Sequence, residues 1–106
     1  MDLKMKDKLL EIINHYGVMH QLKYFQSEVF ELNEAIITFE KSEEESEYSS
    51  VNVSKLAQER EHIIEEIADV MVMLDQFRLY YDIEIEELKD IFDYKTDRQL
   101  ERIKNE

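Results

Sequence analysis

The sequence predicts an all-α protein, and three features of its composition and spacing support this prediction. The 106 residues include one glycine and no proline, which disfavours tight hairpins and glycine-rich phosphate-binding loops. Cysteine is absent, which excludes disulfides, cysteine-ligated zinc and thiol catalysis. Apolar residues recur at alternating steps of three and four, the period of a helix with one buried face. A chain of this length is expected to form one domain.

Four helices are predicted, and each shows this spacing of apolar residues. They cover residues 2–16, 18–42, 54–81 and 84–104. Gly17 is expected to end the first helix, because glycine tolerates the left-handed conformation that closes a helix. An acidic loop at about 43–53, rich in serine and glutamate, joins the second helix to the third. Asp82 stands where a cap for the last helix is expected.

The third helix is apolar on more than one side. Nine of the twelve residues from 63 to 74 are apolar. A helix of this kind must be covered on more than one side, and a chain of this size buries only a limited core alone. We therefore expect self-association into a multi-chain helical bundle.

The charge balance limits the classes of partner. Thirteen basic residues against twenty-six acidic ones give a net charge of −13. Nucleic acids and anionic membranes attract basic surfaces, so neither is expected as a partner. No run approaches the roughly 18 apolar residues of a membrane span, and the N-terminus lacks the apolar core of a signal peptide. A soluble, cytoplasmic protein is therefore expected.

Two pairs of acidic residues are candidates for metal binding. Glu28 and Glu31 are neighbours on one face of the second helix, and Glu66 and Asp69 have the same spacing on the third. Carboxylates near a bundle interior are costly unless a positive group lies between them, and an all-oxygen cluster suits Mg²⁺ or Mn²⁺. Either pair alone is also typical of an exposed helix surface. Asp69, however, interrupts the most apolar run.

The last helix carries a basic face, formed by Lys95, Arg98 and Arg102. Such a face suits an anionic ligand such as a polyphosphate. The alternative is an ordinary preference of basic residues for a helix C-terminus.

The spacing Glu59-x-x-His62 matches half of a di-iron motif, but its second copy is missing. A polar surface or supporting role is therefore expected for His62.

Two strings of the sequence resemble a known family. QSEVFELNEAI (26–36) and HIIEEIADVMVML (62–74) are similar to the motifs of the MazG-type, all-α nucleoside triphosphate pyrophosphohydrolases. The hallmark of that family is Glu-x-x-Glu on one helix and Glu-x-x-Asp on the next, the latter within an EE-x-(A/G)-D string. YGVMHQL (16–22) and KTDRQLERI (95–103) add weaker matches, so the resemblance spans nearly the whole chain.

The resemblance implies one four-helix MazG-like domain over residues 1–106, assembled as a homodimer or homotetramer. It implies an acid anhydride hydrolase that converts a nucleoside triphosphate and water to the monophosphate and pyrophosphate, in nucleotide-pool housecleaning. The implied site has three parts: the catalytic, Mg²⁺-binding or Mn²⁺-binding carboxylates Glu28, Glu31, Glu66 and Asp69; the phosphate-binding residues Lys95, Arg98 and Arg102, acting across a subunit boundary; and the base-pocket residues Gln21, Tyr24 and Phe25.

A second hypothesis comes from a different class of protein. The chain would then be a non-catalytic helical module that retains the fold and acts in oligomeric interactions. The presence of all four carboxylates favours the enzyme. A thermal melt with and without Mg²⁺ separates the two hypotheses, because a cation that binds only the folded cluster raises the melting temperature.

Overall fold

The computed structural model describes residues 3–46 and 53–106, and within these ranges the chain forms four helices and no strand. The helices are α1 (Leu3–Tyr16), α2 (Val18–Ser46), α3 (Val53–Tyr80) and α4 (Ile85–Lys104). The all-α prediction is thus confirmed. Within the described ranges, no helix combines the length and the apolar character needed to cross a bilayer.

Only Gly17 separates α1 from α2. Its φ of +89° lies in the left-handed region, which glycine adopts without steric cost. The Gly17 amide donates to the carbonyl oxygen of Ile13 at 2.8 Å and so closes α1. The predicted end of the first helix is therefore confirmed.

The acidic loop is shorter than predicted at its start. Residues 43–46 belong to α2, which ends at Ser46; the remainder, 47–52, lies outside the described residues. Glutamate is a good helix former, and contact with α3 supports the added turn. The buried Ser42 donates a hydrogen bond to Glu59 Oε1 at 3.0 Å. Because this contact holds the end of α2 against α3, the helix continues beyond its apolar stripe.

The connection from α3 to α4 is a tight turn built around Arg78. This buried side chain donates to the carbonyl oxygen of Ile83 at 3.0 Å. Asp82 has a φ of +54° and does not cap α4, contrary to prediction. Glu84 is the N-cap, and its amide donates to Glu87 Oε2 at 2.9 Å in a capping box. The reciprocal bonds of the box satisfy amides that the helix leaves unpaired.

Helices α1, α2 and α3 pack together, with α2 antiparallel to α3. Among the described residues the buried apolar side chains are few: Leu9, Ile13, Ala35 and Met73. Near them Phe25 of α2 meets Phe77 of α3 edge to face, with ring centroids 5.6 Å apart. Several polar side chains are as deeply buried: Gln21, Glu28, Glu66 and Gln76. The centre of the three-helix unit is therefore partly polar, and this is where the candidate site lies.

Helix α4 packs against none of the other three helices, and none of its residues is buried. The radius of gyration is 17.9 Å, whereas a compact chain of this length has about 13 Å. The accessible surface is 8594 Å², against about 6,300 Å² for a folded monomer of this mass. A single chain thus leaves about 2,300 Å² more surface exposed than a monomer of this size normally does.

Candidate functional site

Three carboxylates meet at the α2–α3 interface. Glu28 and Glu31 of α2 and Glu66 of α3 each offer one oxygen atom, and these three atoms lie within 4.8 Å of one another. The spacing of Glu28 and Glu31 places them on one face of α2, and the antiparallel packing brings Glu66 opposite. Glu28 is 4% exposed and Glu66 7% exposed, while Glu31 faces solvent. The cluster therefore has two buried donors and one accessible donor.

Two oxygen atoms of this cluster lack a hydrogen-bond donor. Glu28 Oε2 and Glu66 Oε2 are fully buried, and no described residue donates a hydrogen bond to either. Burying an ionised carboxylate without a partner is expensive. A cation among the three carboxylates would supply the missing positive charge to both atoms. The donor set is all oxygen, so the residues present fit a hard divalent ion such as Mg²⁺ or Mn²⁺.

Asp69 lies at the edge of this trio. It is one turn beyond Glu66 on α3, and its charge is close enough to Glu28 to raise the pKa of that carboxyl group. Asp69 is exposed and is not among the three oxygen donors within 4.8 Å. The structure thus brings Glu28, Glu31 and Glu66 together and places Asp69 beside Glu28.

Burial and mutual repulsion perturb the pKa values of the cluster. Loss of hydration raises the pKa of Glu28, and the charges of Glu31 and Asp69 raise it further, against a hydrogen bond from Tyr24. Loss of hydration likewise raises the pKa of Glu66, with added repulsion from Glu31 and Asp69. The hydrogen bond to Glu28 raises the pKa of the Tyr24 hydroxyl. Glu28 and Glu66 therefore bind protons more tightly in the metal-free cluster than free carboxyl groups do.

These pKa values predict how the stability of the metal-free protein depends on pH. Above the ordinary value of 4.5, folded Glu28 and Glu66 hold protons that the unfolded chain has released. The free energy of unfolding should therefore fall as pH rises from 4.5 through the raised pKa values. A divalent ion that bound only the folded cluster would, at about a hundred times its Kd, add about 2.7 kcal/mol, or about 10 °C in a domain of this size.

Thermal melts between pH 4.5 and neutrality, with and without Mg²⁺, test this expectation. The gain from Mg²⁺ should grow with pH, because the ion competes with protons for the same oxygen atoms. Glu66→Gln should flatten the metal-free slope, whereas Glu65→Gln, on the exposed neighbour, should leave it unchanged. If stability depended on pH equally in both variants, the overall negative charge of the chain, and not the cluster, would explain the pH dependence.

A cavity of about 400 Å³ opens beside Glu28 and Asp69. Gln21 and Tyr24, two of the three residues predicted for a base pocket, line it. The third, Phe25, does not line the cavity; its ring packs on Phe77 inside the α2–α3 interface. Helix α1 contributes Ile12 and Tyr16 to the lining. The cavity therefore uses the α1 side of α2.

Besides apolar lining residues, the sequence analysis missed the polar and aromatic residues Tyr16, His20 and Gln76 of this cavity. The rings of Tyr16 and His20 stack at 4.9 Å across the turn at Gly17. Gln76 is 1% exposed and accepts a hydrogen bond from Gln21 Nε2 at 2.8 Å. A signal for Gln76 was present, because it is a polar residue two turns after Asp69 on a helix with a long apolar stripe.

A second cavity, of about 420 Å³, lies on the other side of the cluster. Glu31 and Glu66 border it, together with Glu59 and His62. His62 Nε2 lies 3.7 Å from Glu66 Oε1, and its charge, when it is protonated, lowers the pKa of Glu66. The carboxylate cluster therefore forms the wall between two cavities, with His62 beside it as a supporting polar group.

The predicted phosphate-binding residues lie apart from the cluster within one chain. Lys95, Arg98 and Arg102 are all on α4, which packs against none of α1, α2 and α3. Arg98 instead lies over the ring of Tyr94, with its guanidinium carbon 5.7 Å from the ring centroid. A role for these residues at the cluster therefore requires the α4 of a second copy.

Comparison of the chain with protein-family models, with curated proteins and with solved structures finds no match. The assignment to the MazG-like family accordingly stays a prediction that depends on the two carboxylate motifs.

Proposed function

We propose that the protein is a Mg²⁺-dependent nucleoside triphosphate pyrophosphohydrolase of the MazG-like family. It would convert a nucleoside triphosphate and water to the nucleoside monophosphate and pyrophosphate. The single observation that carries this proposal is the pair of buried, unpartnered oxygen atoms of Glu28 and Glu66 in the wall between two cavities. Buried acids that lack donors are common at sites that bind a cation or perform acid–base chemistry.

The four carboxylates differ in exposure, and we assign them different roles on that basis. Glu28, Glu31 and Glu66 would hold Mg²⁺, which neutralises the charge of the triphosphate and lowers the pKa of a bound water. Tyr24, whose hydroxyl pKa is raised by its interaction with Glu28, would help to orient that carboxylate. Asp69 is exposed at the cavity edge, where its carboxylate can orient a water molecule and accept its proton.

The cavity on the α1 side of the cluster suits the nucleoside part of such a substrate. Its volume of about 400 Å³ is in the range of small-molecule sites. The stacked rings of Tyr16 and His20 and the amides of Gln21 and Gln76 line it, and these groups suit a planar, polar heterocycle. The phosphates would then extend from the cavity toward Glu28 and Asp69.

We also propose that the working form is a homo-oligomer, a dimer or a tetramer. Each chain exposes about 2,300 Å² more surface than a monomer of this size. An interface that buried this excess would be as large as the interfaces of obligate oligomers. An α4 that leaves its own chain could bring Lys95, Arg98 and Arg102 to the phosphates at a neighbouring site. The enzyme would act in the cytoplasm, where nucleoside triphosphates are present, and would remove unwanted nucleotides.

The test is a panel of canonical, deoxy- and oxidised nucleoside triphosphates with Mg²⁺, scored for pyrophosphate and monophosphate. We expect stoichiometric release of both products from at least one triphosphate and none with excess chelator. Release of inorganic phosphate instead of pyrophosphate would overturn the reaction assignment. If the protein were a folded oligomer and hydrolysed none of these triphosphates, the hypothesis of a non-catalytic interaction module would be favoured.

A further inference from the structure

The floor of the α1-side cavity contains a directed chain of hydrogen bonds. Gln21 Nε2 donates to Gln76 Oε1 at 2.8 Å, so Gln21 Oε1 faces the other way and lies 2.9 Å from His20 Nδ1. An amide oxygen only accepts hydrogen bonds, and His20 must therefore be the donor in this contact. With these amide orientations the chain of hydrogen bonds runs from His20 through Gln21 to Gln76.

The chain ends on an amide donor that lacks a strong acceptor. Within the described part of the chain, Gln76 Nε2 donates to the sulfur of Met73, 3.7 Å away. A thioether sulfur is a weak acceptor. Gln76 is 1% exposed, so bulk water reaches its side chain poorly, and a buried donor without a good acceptor is costly. A ligand carbonyl oxygen in the cavity would satisfy this donor.

The position of Gln76 indicates which part of a ligand meets it. Asp69 and Gln76 both line the cavity and are two turns apart on α3, about 10 Å along its axis. A nucleotide whose phosphates lie at the carboxylate end would therefore direct the far edge of its base toward Gln76. In uracil and hypoxanthine that edge carries an oxo group, whereas in cytosine and adenine it carries an amino group.

We propose that Gln76 is a specificity-determining residue that selects oxo bases over amino bases. Its Nε2 donates to the oxo group at the base edge distal to the ribose, uracil O4 or hypoxanthine O6. An amino group at the same position would present a second donor to the amide donor and leave both unpaired. The choice of triphosphates as substrates rests on the proposed function, whereas the choice between bases rests on the chain of hydrogen bonds that ends at Gln76.

Two matched substrate pairs test the inference, UTP against CTP and ITP against ATP, because the members of each pair differ only at this exocyclic group and in whether the ring nitrogen beside it carries a hydrogen. For the wild-type protein we expect kcat/KM to favour the oxo member by about tenfold or more. Gln76→Leu should bring both ratios close to one. Gln76→Glu, which replaces the donor by an acceptor, should favour the amino member.

Controls separate a specific effect from a loss of folding. Gln58→Leu changes an exposed glutamine of the same helix and should preserve the wild-type ratios. If Gln76→Leu unfolds, as judged by circular dichroism, Gln76→Glu alone decides the outcome. A wild-type preference for CTP and ATP, or ratios that Gln76→Glu leaves unchanged, would overturn the inference.

A second readout keeps this inference independent of hydrolysis. Titration calorimetry with uridine, cytidine, inosine and adenosine measures base preference without phosphates or metal. Tighter binding of uridine and inosine, lost in Gln76→Leu, would support the inference even if no triphosphate were hydrolysed, and the proposed function alone would then fail. Pyrophosphate release together with equal binding of oxo and amino nucleosides would overturn the inference and leave the proposed function standing.

Discussion

Glu66→Gln is expected to lower the rate of pyrophosphate release by at least about a hundredfold, since even groups that merely support a metal ligand are worth 10- to 100-fold. Glutamine keeps the shape of the side chain but removes the negative charge that faces Glu28 and Glu31 in the cluster. Because loss of hydration and repulsion raise the pKa of Glu66, removal of its charge should also stabilise the metal-free fold. Helicity by circular dichroism should be unchanged.

The neighbouring residue supplies a matched control for this prediction. Glu65 has a side chain that is 68% exposed, and it is not part of the carboxylate trio. Glu65→Gln makes the same chemical change one residue away and should turn over at the wild-type rate with the same Mg²⁺ dependence. Pyrophosphate release measured for both variants decides the matter: wild-type rates in both would show that the cluster is not the catalytic site.

The second large effect is expected on α4. Phe92 is 68% exposed on the apolar face of a helix that packs against no other helix of its chain. If this face meets a second copy, Phe92→Glu removes about 1.5 to 3 kcal/mol of apolar burial per subunit. In a symmetric dimer the change occurs twice, so the dissociation constant should rise by about 10² to 10⁴-fold.

Tyr94→Glu is the matched control for this effect. Tyr94 is 63% exposed and lies two residues along α4, on nearly the opposite side of the helix. Sedimentation equilibrium should show dissociation of Phe92→Glu at concentrations at which the wild-type protein and Tyr94→Glu remain associated. A wild-type protein that is monomeric at micromolar concentration, with a melting temperature independent of concentration, would contradict the assembly.

Much of the carboxylate site could be predicted from local spacing. Glu28 and Glu31 are neighbours on any helix that contains both, and Asp69 interrupts a run that is otherwise apolar. The distance between Glu31 and Glu66 depends instead on the register of α2 against α3. That register also separates Asp69 from the trio and places it beside Glu28.

The residues that line the cavity could not be predicted from the spacing of residues along a single helix. Tyr16 and His20 come together across the left-handed Gly17, which separates α1 from α2. Gln76 joins them only through its hydrogen bond to Gln21 on another helix. Phe25, one turn after Gln21, turns toward Phe77 and away from the cavity. Each of these outcomes depends on interhelical geometry that the apolar periodicity of a single helix does not specify.

The sequence by itself determined the helical class, the end of α1 at Gly17 and the residue types of an acidic, oxygen-only cluster, because composition and the helical period act within one segment. Only the tertiary structure decided which carboxylates converge, which amide ends the hydrogen-bond chain at Gln76, and that α4 stays apart from its own chain. These features arise from packing between segments that are distant in sequence, where register and burial are set by the three-dimensional arrangement.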